Sequence, residues 1–303
     1  MTLGSGAMSE TLTSRAAQRD AAVATTLTVG FHGVRGSTPC HCSETSRYGG
    51  NTSCVSVHAD DAAPLIFDLG TGVRYTGIRA EAGRPLHVVC LLTHLHLDHI
   101  MGLPFFEPLL SADTILDIYA PRQDDGSSVT ELLHARFAPP TFPVRLAEFA
   151  ATIRIHEIGD DDFEVAGWNV RSRYVPHVGP TLGFRVRRDG ASVTYLSDHQ
   201  QPDGDEFTLA TGARDVCADT DLLIHDAQYT DAEFAVKRTW GHSTHEYAAW
   251  VARTSGARRL ALFHHDPSRR DADLDELGRT HSAGAVPSVV AREGMRLEVS
   301  SLA

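Results

Sequence analysis

The sequence predicts an α/β protein built as a four-layer αββα sandwich, in which two β-sheets face each other and helices cover both outer surfaces. Short β-branched runs, separated by glycine, proline and aspartate, occur in both halves of the 303-residue chain, and helical patterns alternate with them. No segment of linker composition divides the halves, so we expect a single domain over residues 27–303. The polar, alanine-rich residues 1–26 are expected to be disordered or loosely attached.

Individual elements follow from the periodicity of apolar residues and from the turn-forming residues between them. In the first half we predict strands at 26–34, 54–58, 64–68, 86–92 and 114–119, with helices at 73–80 and 128–137. In the second half we predict strands at 152–156, 169–175, 182–187, 192–197, 221–226, 259–263 and 295–299. Helices are predicted at 233–238, 244–254 and 271–281, and Ser243 and Glu246 have the spacing of a capping box for the second of them.

The composition is ordinary for a soluble globular protein, with 42% apolar and 22% charged residues, and no apolar run is long enough to cross a membrane. The formal net charge of −12 argues against a long nucleic acid as a partner, because phosphate binding usually needs a basic surface. The N-terminal residues lack the apolar core of a secretory signal, and the five cysteines form no regular framework. We therefore expect a cytoplasmic location and reduced thiols.

The strongest chemical signal is the run from Thr93 to His99, which has the pattern H-x-H-x-D-H directly after an apolar strand. Its three imidazoles and its carboxylate supply the nitrogen and oxygen donors that zinc and similar ions prefer. His94 and His96 lie two residues apart, so their side chains point the same way in an extended segment. Asp98 and His99 follow where the chain turns toward a helix. A metal site explains this pattern better than a surface cluster without a ligand role.

The motif resembles that of the metallo-β-lactamase superfamily, whose four-layer sandwich agrees with the predicted fold. Further similarities extend the resemblance over residues 27–266, and most of them close a predicted strand: Phe67-Asp68, Pro176-His177, Ser197-Asp198 and Phe263-His264. The resemblance implies two divalent cations, with zinc preferred over manganese or iron. One ion would be held by His94, His96 and His177, and the other by Asp98, His99 and His264, with Asp198 bridging the two.

Two assignments in this set need a choice. His264 competes with the adjacent His265, and the strand register favours His264 because the family ligand directly follows the apolar strand. Asp68 has no vacant coordination position to fill, so it is interpreted as a residue that orients a ligand. Paired ions about 3.5–4 Å apart lower the pKa of water and hold both oxygens of a displacement. The resemblance therefore implies a hydrolase whose nucleophile is a metal-bound hydroxide, and Asp98 is counted among its catalytic residues.

A narrower resemblance is carried by Asp226 in Leu-Ile-His-Asp-Ala and by His242 in Gly-His-Ser-Thr. Both are similar to the phosphodiesterase branch that includes ribonuclease Z and cyclic nucleotide phosphodiesterases. The resemblance implies that His242, supported by Asp226, assists the departing alkoxide or binds phosphate. Only about twenty residues separate His177 from Asp198, which is too few for the tRNA-gripping arm that ribonuclease Z carries there. We therefore expect a small phosphodiester substrate, cyclic ones included, and no long nucleic acid.

Several alternatives stay open at this point. The protein could be a metal-dependent thioesterase or another acyl hydrolase of the same superfamily, or a non-catalytic metal-binding module. A structural zinc at Cys40, Cys42 and Cys54 competes with the simpler interpretation of free thiols. A homodimer is left open because dimers are common among relatives.

Overall fold

The computed structural model describes Met1, residues 26–204 and residues 206–301. Almost all of the N-terminal segment that was expected to be loosely attached therefore lies outside the described residues. Within the described part, two seven-stranded sheets carry the fold.

The first sheet is built from the N-terminal half of the chain and from the last strand. In spatial order it contains β14 (Arg296–Ser300), β1 (Thr26–Gly33), β2 (Cys54–His58), β3 (Leu65–Phe67), β4 (Leu86–Leu91), β5 (Thr114–Pro121) and β6 (Thr152–Ile158). Neighbours from β3 to β6 pair in parallel, whereas β14, β1, β2 and β3 pair antiparallel.

The second sheet has the same size and a related arrangement. In spatial order it contains β13 (Ser288–Val290), β12 (Leu260–Phe263), β11 (Leu222–Asp226), β10 (Ala191–Leu196), β9 (Leu182–Arg188), β8 (Trp168–Tyr174) and β7 (Asp161–Val165). The strands from β10 to β13 are parallel, and those from β7 to β10 are antiparallel.

Apolar side chains between the sheets form the central core. Phe67 from the first sheet stacks on Tyr195 from the second, with ring centroids 4.7 Å apart, and Phe184 and Phe263 pack around them. Burying each such aromatic side chain stabilises the fold by roughly 1.5–3 kcal/mol. The two sheets are thereby held at a fixed spacing.

Helices cover the outer surfaces of both sheets, as the predicted sandwich requires. On the first sheet, a second core includes residues of α1 (Leu97–Ile100) and α2 (Val129–Arg136). On the second sheet, a third core includes residues of α3 (Thr211–Cys217), α5 (His245–Thr254) and α6 (Asp271–Ser282), and α4 (Asp231–Lys237) precedes α5. The predicted four-layer fold is confirmed.

Local predictions failed at two points. The helix expected at 73–80 is a single 3₁₀ turn at Thr71–Tyr75, because Gly77, within the expected range, has φ +75°, a left-handed conformation that ends a helix. The helix α5 is capped by Thr244, whose side chain accepts from Tyr247 N, so the expected capping box at Ser243 does not form. The hydroxyl of Ser243 donates instead to the carbonyl of His199. The sequence also gave no sign of β7, β13 and α3.

Among the residues that the structure describes, no helix combines the length and the apolar character needed to span a membrane.

Candidate metal centre

The strands of the second sheet bring four distant side chains to one edge. β10, β11 and β12 are parallel, and Asp198 follows the first of them, Asp226 ends the second and His264 follows the third. His177 comes after β8, which runs in the same direction as β10 because two antiparallel pairings separate them. In sequence order these four residues are 21, 28 and 38 positions apart, so they meet only through the sheet topology.

The first sheet supplies the local motif at the end of β4. His96 has an extended backbone, with φ −63° and ψ 151°, and directly precedes the short helix α1. His94 and His96 therefore lie side by side, with ring centroids 4.3 Å apart. Asp98 and His99 fall in the first turn of α1, where both are buried. The change from extended chain to helix is what directs the two halves of the motif to neighbouring positions.

His94, His96 and His177 form one group whose ligand atoms all lie within 4.8 Å of one another. His177 Nε2 is 3.3 Å from His96 Nδ1. His177 Nδ1 lies 2.7 Å from the carbonyl oxygen of Gly241, which can only accept, so the hydrogen is on Nδ1 and Nε2 has the lone pair. Gly241 has φ +95°, and a Cβ there would lie 2.3 Å from His177 Nδ1, so this contact requires glycine.

Asp98, His99 and His264 form a second group. The Nε2 atoms of His99 and His264 lie 3.3 and 3.4 Å from Asp98 Oδ2. His264 Nδ1 is 3.0 Å from Gln228 Oε1, which again leaves the lone pair on Nε2. The neighbouring His265 points elsewhere, since its Nε2 lies 2.9 Å from the carbonyl oxygen of Ala291. The structure therefore brings His264, and not His265, into the cluster.

Asp198 stands between the two groups and offers one oxygen to each. Its Oδ1 lies 3.9 Å from His94 Nε2 and 3.7 Å from His177 Nε2. Its Oδ2 lies 3.1 Å from His99 Nε2 and 3.4 Å from His264 Nε2. A carboxylate placed in this way can bridge two cations.

The residues fit a pair of metal ions because buried ligand atoms in the cluster lack hydrogen-bond partners. His94 Nε2, His99 Nε2, His264 Nε2 and Asp198 Oδ2 are all buried and make no hydrogen bond. A buried polar atom without a partner costs about 1–3 kcal/mol, so four of them around one space are unfavourable in an isolated protein. Coordination of divalent cations by these atoms would remove that cost, and the donor set is the one that zinc prefers.

Asp68 holds His99 from behind. Its Oδ2 is 2.8 Å from His99 Nδ1 and accepts from the hydroxyl of Tyr195 at 2.9 Å, and its Oδ1 accepts from Thr93 N at 2.8 Å. The Asp68 contact places the hydrogen of His99 on Nδ1, which directs the Nε2 lone pair into the cluster. Tyr195 belongs to the opposite sheet, so this carboxylate also links the two halves of the site.

A second carboxylate–imidazole pair lies beside the cluster. His242 Nδ1 is 2.8 Å from Asp226 Oδ2 and 3.7 Å from Asp198 Oδ1. Asp226 also accepts from the backbone nitrogens of Gln228 at 3.0 Å and His199 at 3.3 Å. Because Nδ1 faces Asp226, Nε2 is the atom of His242 that remains for a substrate.

The electrostatics of the cluster favour a bound cation. Burial lowers the pKa of His99, but Asp198, Asp98 and Asp68 outweigh burial and raise that pKa well above the usual value. Burial raises the pKa of Asp198, yet His264, His99 and His94 hold it well below the usual range. The pair beside the cluster behaves differently, because burial raises the pKa of Asp226 well above its usual value and lowers the pKa of His242.

Sequence reasoning missed one histidine at the site. His199, next to Asp198, is fully buried, and its Nδ1 lies 2.9 Å from His225 Nε2. It lines a cavity of about 610 Å³ that His177 also lines. Its position beside a predicted ligand was the only available sign. The cysteines that were considered for an extra zinc are free, and no described cysteine belongs to a compact group of three metal-binding side chains.

The fold and this cluster define a metal-dependent hydrolase. The family described as "Beta-lactamase superfamily domain" matches residues 67–265, which is more than half of the chain, and the chain belongs to this family. Ribonuclease Z of Haloarcula marismortui is 27% identical over 325 aligned residues, covering 90% of this chain and 97% of that protein. The protein is a phosphodiesterase-type hydrolase of the metallo-β-lactamase fold, similar to ribonuclease Z, and its fold implies divalent metal ions.

Solved structures show the same fold at lower identity. Human tRNase Z, short form, has a TM-score of 0.62 and 21% identity, and the match covers 89% of this chain and 98% of that one. A diphosphatase of the PhnP family has a TM-score of 0.65 and 19% identity, covering 91% of this chain and 99% of that one.

These comparisons correct one prediction. The sequence led us to expect no long nucleic acid as a partner, and that expectation is wrong, because the relatives are ribonucleases by name. The argument from net charge failed because a charge of −12 averages over the whole surface, whereas phosphate binding depends on the local surface near the site. The argument from the short interval between His177 and Asp198 applied only to a tRNA-gripping arm inserted between those two residues.

Proposed function

We propose that the protein hydrolyses phosphodiester bonds with two divalent cations, most simply zinc, held by the cluster. His94, His96 and His177 would hold one ion, and Asp98, His99 and His264 the other, with Asp198 between them. The observation that carries this proposal is the convergence of four buried ligand atoms that lack hydrogen-bond partners. When bound, such ions activate water for attack and neutralise the charge of the phosphate.

The residues of the chain supply proton transfer and orientation. Hydrolysis joins the oxygen of water to phosphorus and breaks one ester P–O bond, and the departing alkoxide must gain a proton. The doubly protonated ring of His242 would donate this proton from Nε2, since Nδ1 is held by Asp226 at 2.8 Å. The attacking water loses a proton in the same reaction, which balances the one that the ring gives to the leaving group. Asp226 acts through His242 by fixing the ring, and Asp68 acts in the same way on His99.

Two substrate classes are supported by different observations. The relatives named ribonuclease Z favour cleavage of RNA. The short chain between His177 and Asp198 contains only the β9–β10 hairpin, which favours an open cleft and a small phosphodiester, cyclic ones included. In agreement, the alignment with the Haloarcula enzyme spans 325 positions at 90% coverage of this chain, so that enzyme has segments with no counterpart here.

The decisive experiment measures metal content first and turnover second. We expect about two zinc ions per chain and hydrolysis of bis(p-nitrophenyl) phosphate that a chelator abolishes and zinc restores. His94→Ala should lose both metal and turnover, while His134→Ala, an exposed histidine on α2, should keep both. Stoichiometry near one would contradict the dinuclear site, and turnover of thioesters but not of phosphodiesters would contradict the reaction.

A substrate panel separates the two classes. Cyclic nucleotides, short linear RNA and a tRNA precursor would be compared at equal concentration by kcat/KM. Preference for the cyclic compounds would support a small substrate, and preference for the tRNA precursor would support a ribonuclease Z-like role.

A further inference from the structure

The cavity beside His177 offers a binding site that the cluster itself does not explain. It has a volume of about 610 Å³, within the range of ligand pockets, and His177 connects it to the proposed metal ligands. Its wall combines apolar side chains with a few polar groups: Pro176, Val178, Leu209, His199, Gln200 and Arg238. Such a wall suits a nucleoside, which has an apolar ring system and a hydroxylated sugar.

The hydrogen positions of two histidines at this cavity follow from their partners. His225 Nδ1 lies 2.7 Å from the carbonyl oxygen of Asp226, which can only accept, so this nitrogen carries the hydrogen. Burial lowers the pKa of His225 to about 4, so the ring is neutral at pH 7 and its Nε2 is an acceptor. His199 Nδ1, at 2.9 Å from that atom, must then be the donor.

This chain of hydrogen bonds ends at an acceptor without a donor. Because His199 Nδ1 carries the hydrogen, its Nε2 has the lone pair, and this buried atom has no hydrogen-bond partner. The backbone of His199 is held by hydrogen bonds to Asp226 and Ser243, and its ring is held by the contact of Nδ1 with His225 and by packing against Tyr247. A buried acceptor on a residue that lines a cavity can be satisfied by a donor from a molecule bound there.

Resting on the proposed function, we propose that this cavity binds the nucleoside part of the substrate and that His199 Nε2 accepts a hydrogen bond from a ribose hydroxyl. His199 is then a specificity-determining residue that favours ribonucleoside over deoxyribonucleoside phosphodiesters, because a hydroxyl donor is what distinguishes the two sugars. The guanidinium of Arg238 and the carboxylate of Asp203, which pair with each other, add polar groups to the wall of the same cavity.

The test uses three p-nitrophenyl phosphodiesters on the zinc-loaded protein: the 5′ ester of uridine, the 5′ ester of 2′,3′-dideoxyuridine, and bis(p-nitrophenyl) phosphate. We expect kcat/KM for the uridine ester to exceed that for the dideoxy ester by about tenfold, the effect of one hydrogen bond to a buried acceptor. His199→Phe should abolish this preference by lowering only the uridine value. His199→Gln, which extends an amide oxygen into the same region, should recover part of it.

Two outcomes would overturn the proposal: an equal loss on all three esters in His199→Phe, which indicates a structural role, or no sugar preference in the wild type. If no ester is hydrolysed, the proposed function fails, and calorimetry with uridine 5′-monophosphate still decides the inference. Tighter binding of this nucleotide than of its dideoxy analogue, lost in His199→Phe, would support the site, and equal binding would refute it. Metal content and Tm of each variant serve as controls for folding.

Discussion

Two carboxylate–imidazole pairs with the same contact distance lie on opposite sheets, but the charged groups around them differ. Asp68 and His99 meet at 2.8 Å on the first sheet, and Asp226 and His242 meet at 2.8 Å on the second. The far nitrogen of His99 faces two further carboxylates, at 3.1 and 3.3 Å. Beside Asp226, the carboxylate of Asp198 lies 3.7 Å from Nδ1 of His242, on the side of the ring that already faces Asp226. We therefore propose that the same kind of pair orients a metal ligand on the first sheet and a proton donor on the second.

The pKa directions describe the same difference. Burial acts on both rings, but the carboxylates around His99 outweigh it and raise the pKa of that imidazole well above its usual value. For His242, burial is the stronger influence and lowers the pKa. The anions around His99 favour a bound cation, whereas the lowered pKa of His242 makes its protonated ring a stronger acid. Variants of the two pairs should therefore fail in different ways.

The largest effect is expected when the first pair loses its imidazole. His99→Ala removes a ligand atom that faces Asp98 and Asp198, so metal content should fall and kcat/KM for every phosphodiester should fall by at least about 10³-fold. Metal analysis and kinetics on bis(p-nitrophenyl) phosphate would measure both. His265→Gln is the matched control, because His265 is equally buried but contacts only the Ala291 carbonyl at this nitrogen. Full metal content in His99→Ala would remove the distinction between the pairs.

Loss of the imidazole of the second pair should lower catalysis but leave the metal content unchanged. His242→Ala should lower kcat by about 10²–10⁴-fold for a substrate with an alkoxide leaving group, the usual range for loss of a general acid. For bis(p-nitrophenyl) phosphate the loss should be far smaller, because p-nitrophenolate departs without a proton. Equal losses on both leaving groups would indicate that His242 binds phosphate or metal instead.

The next largest effects are expected from substitution of the two supporting carboxylates. Asp68→Asn should weaken metal binding by about 10–100-fold, since the orientation and basicity of His99 depend on it. Asp226→Asn should leave metal binding within about twofold and should lower kcat only for alkoxide leaving groups. Competition with a chromogenic chelator gives the metal affinities. A loss of metal affinity in Asp226→Asn would place both pairs in the same role.

The site could be predicted from the sequence where its signal is local. The motif from His94 to His99 follows one buried strand, so strand and helix periodicity alone place its four metal-binding side chains close together. His177, Asp198 and His264 lie far apart in the chain, and only the family resemblance indicated that they meet. Nothing in the sequence indicated that His199 and His225 share a hydrogen bond, because that contact arises from the register of β10 and β11.

The fold was predictable for similar reasons. Long, apolar strands such as β4 and β12 were predicted within one residue of their observed ends. The strands β7 and β13 were missed because β7 exposes two acidic side chains among five residues and β13 has only three residues. The helix expected at 73–80 does not form because Gly77 adopts φ +75°, and a left-handed glycine ends a helix.

The smallest predicted effect concerns His32, a histidine away from the cluster. It is a change in how the stability of the fold depends on pH, distinct from the effect of pH on the metal centre. Burial, together with His58 and Arg296, lowers the pKa of His32 to about 4. The unfolded chain binds this proton near pH 6.5, so between pH 6.5 and 4 it binds more protons than the folded chain, and stability falls as the pH falls. Above pH 6.5 this group contributes no pH dependence.

His32→Asn should therefore lose less stability than the wild type on acidification. Urea unfolding of chelator-treated protein at pH 7 and pH 5 would measure the difference, which we expect to be about 1–2 kcal/mol. Removing metal first matters, because protonation of the cluster would otherwise act in the same pH range. Identical pH dependence in the two proteins would mean that His32 is protonated in the folded state, most simply by rearrangement of its contact with Ser56 at 2.8 Å.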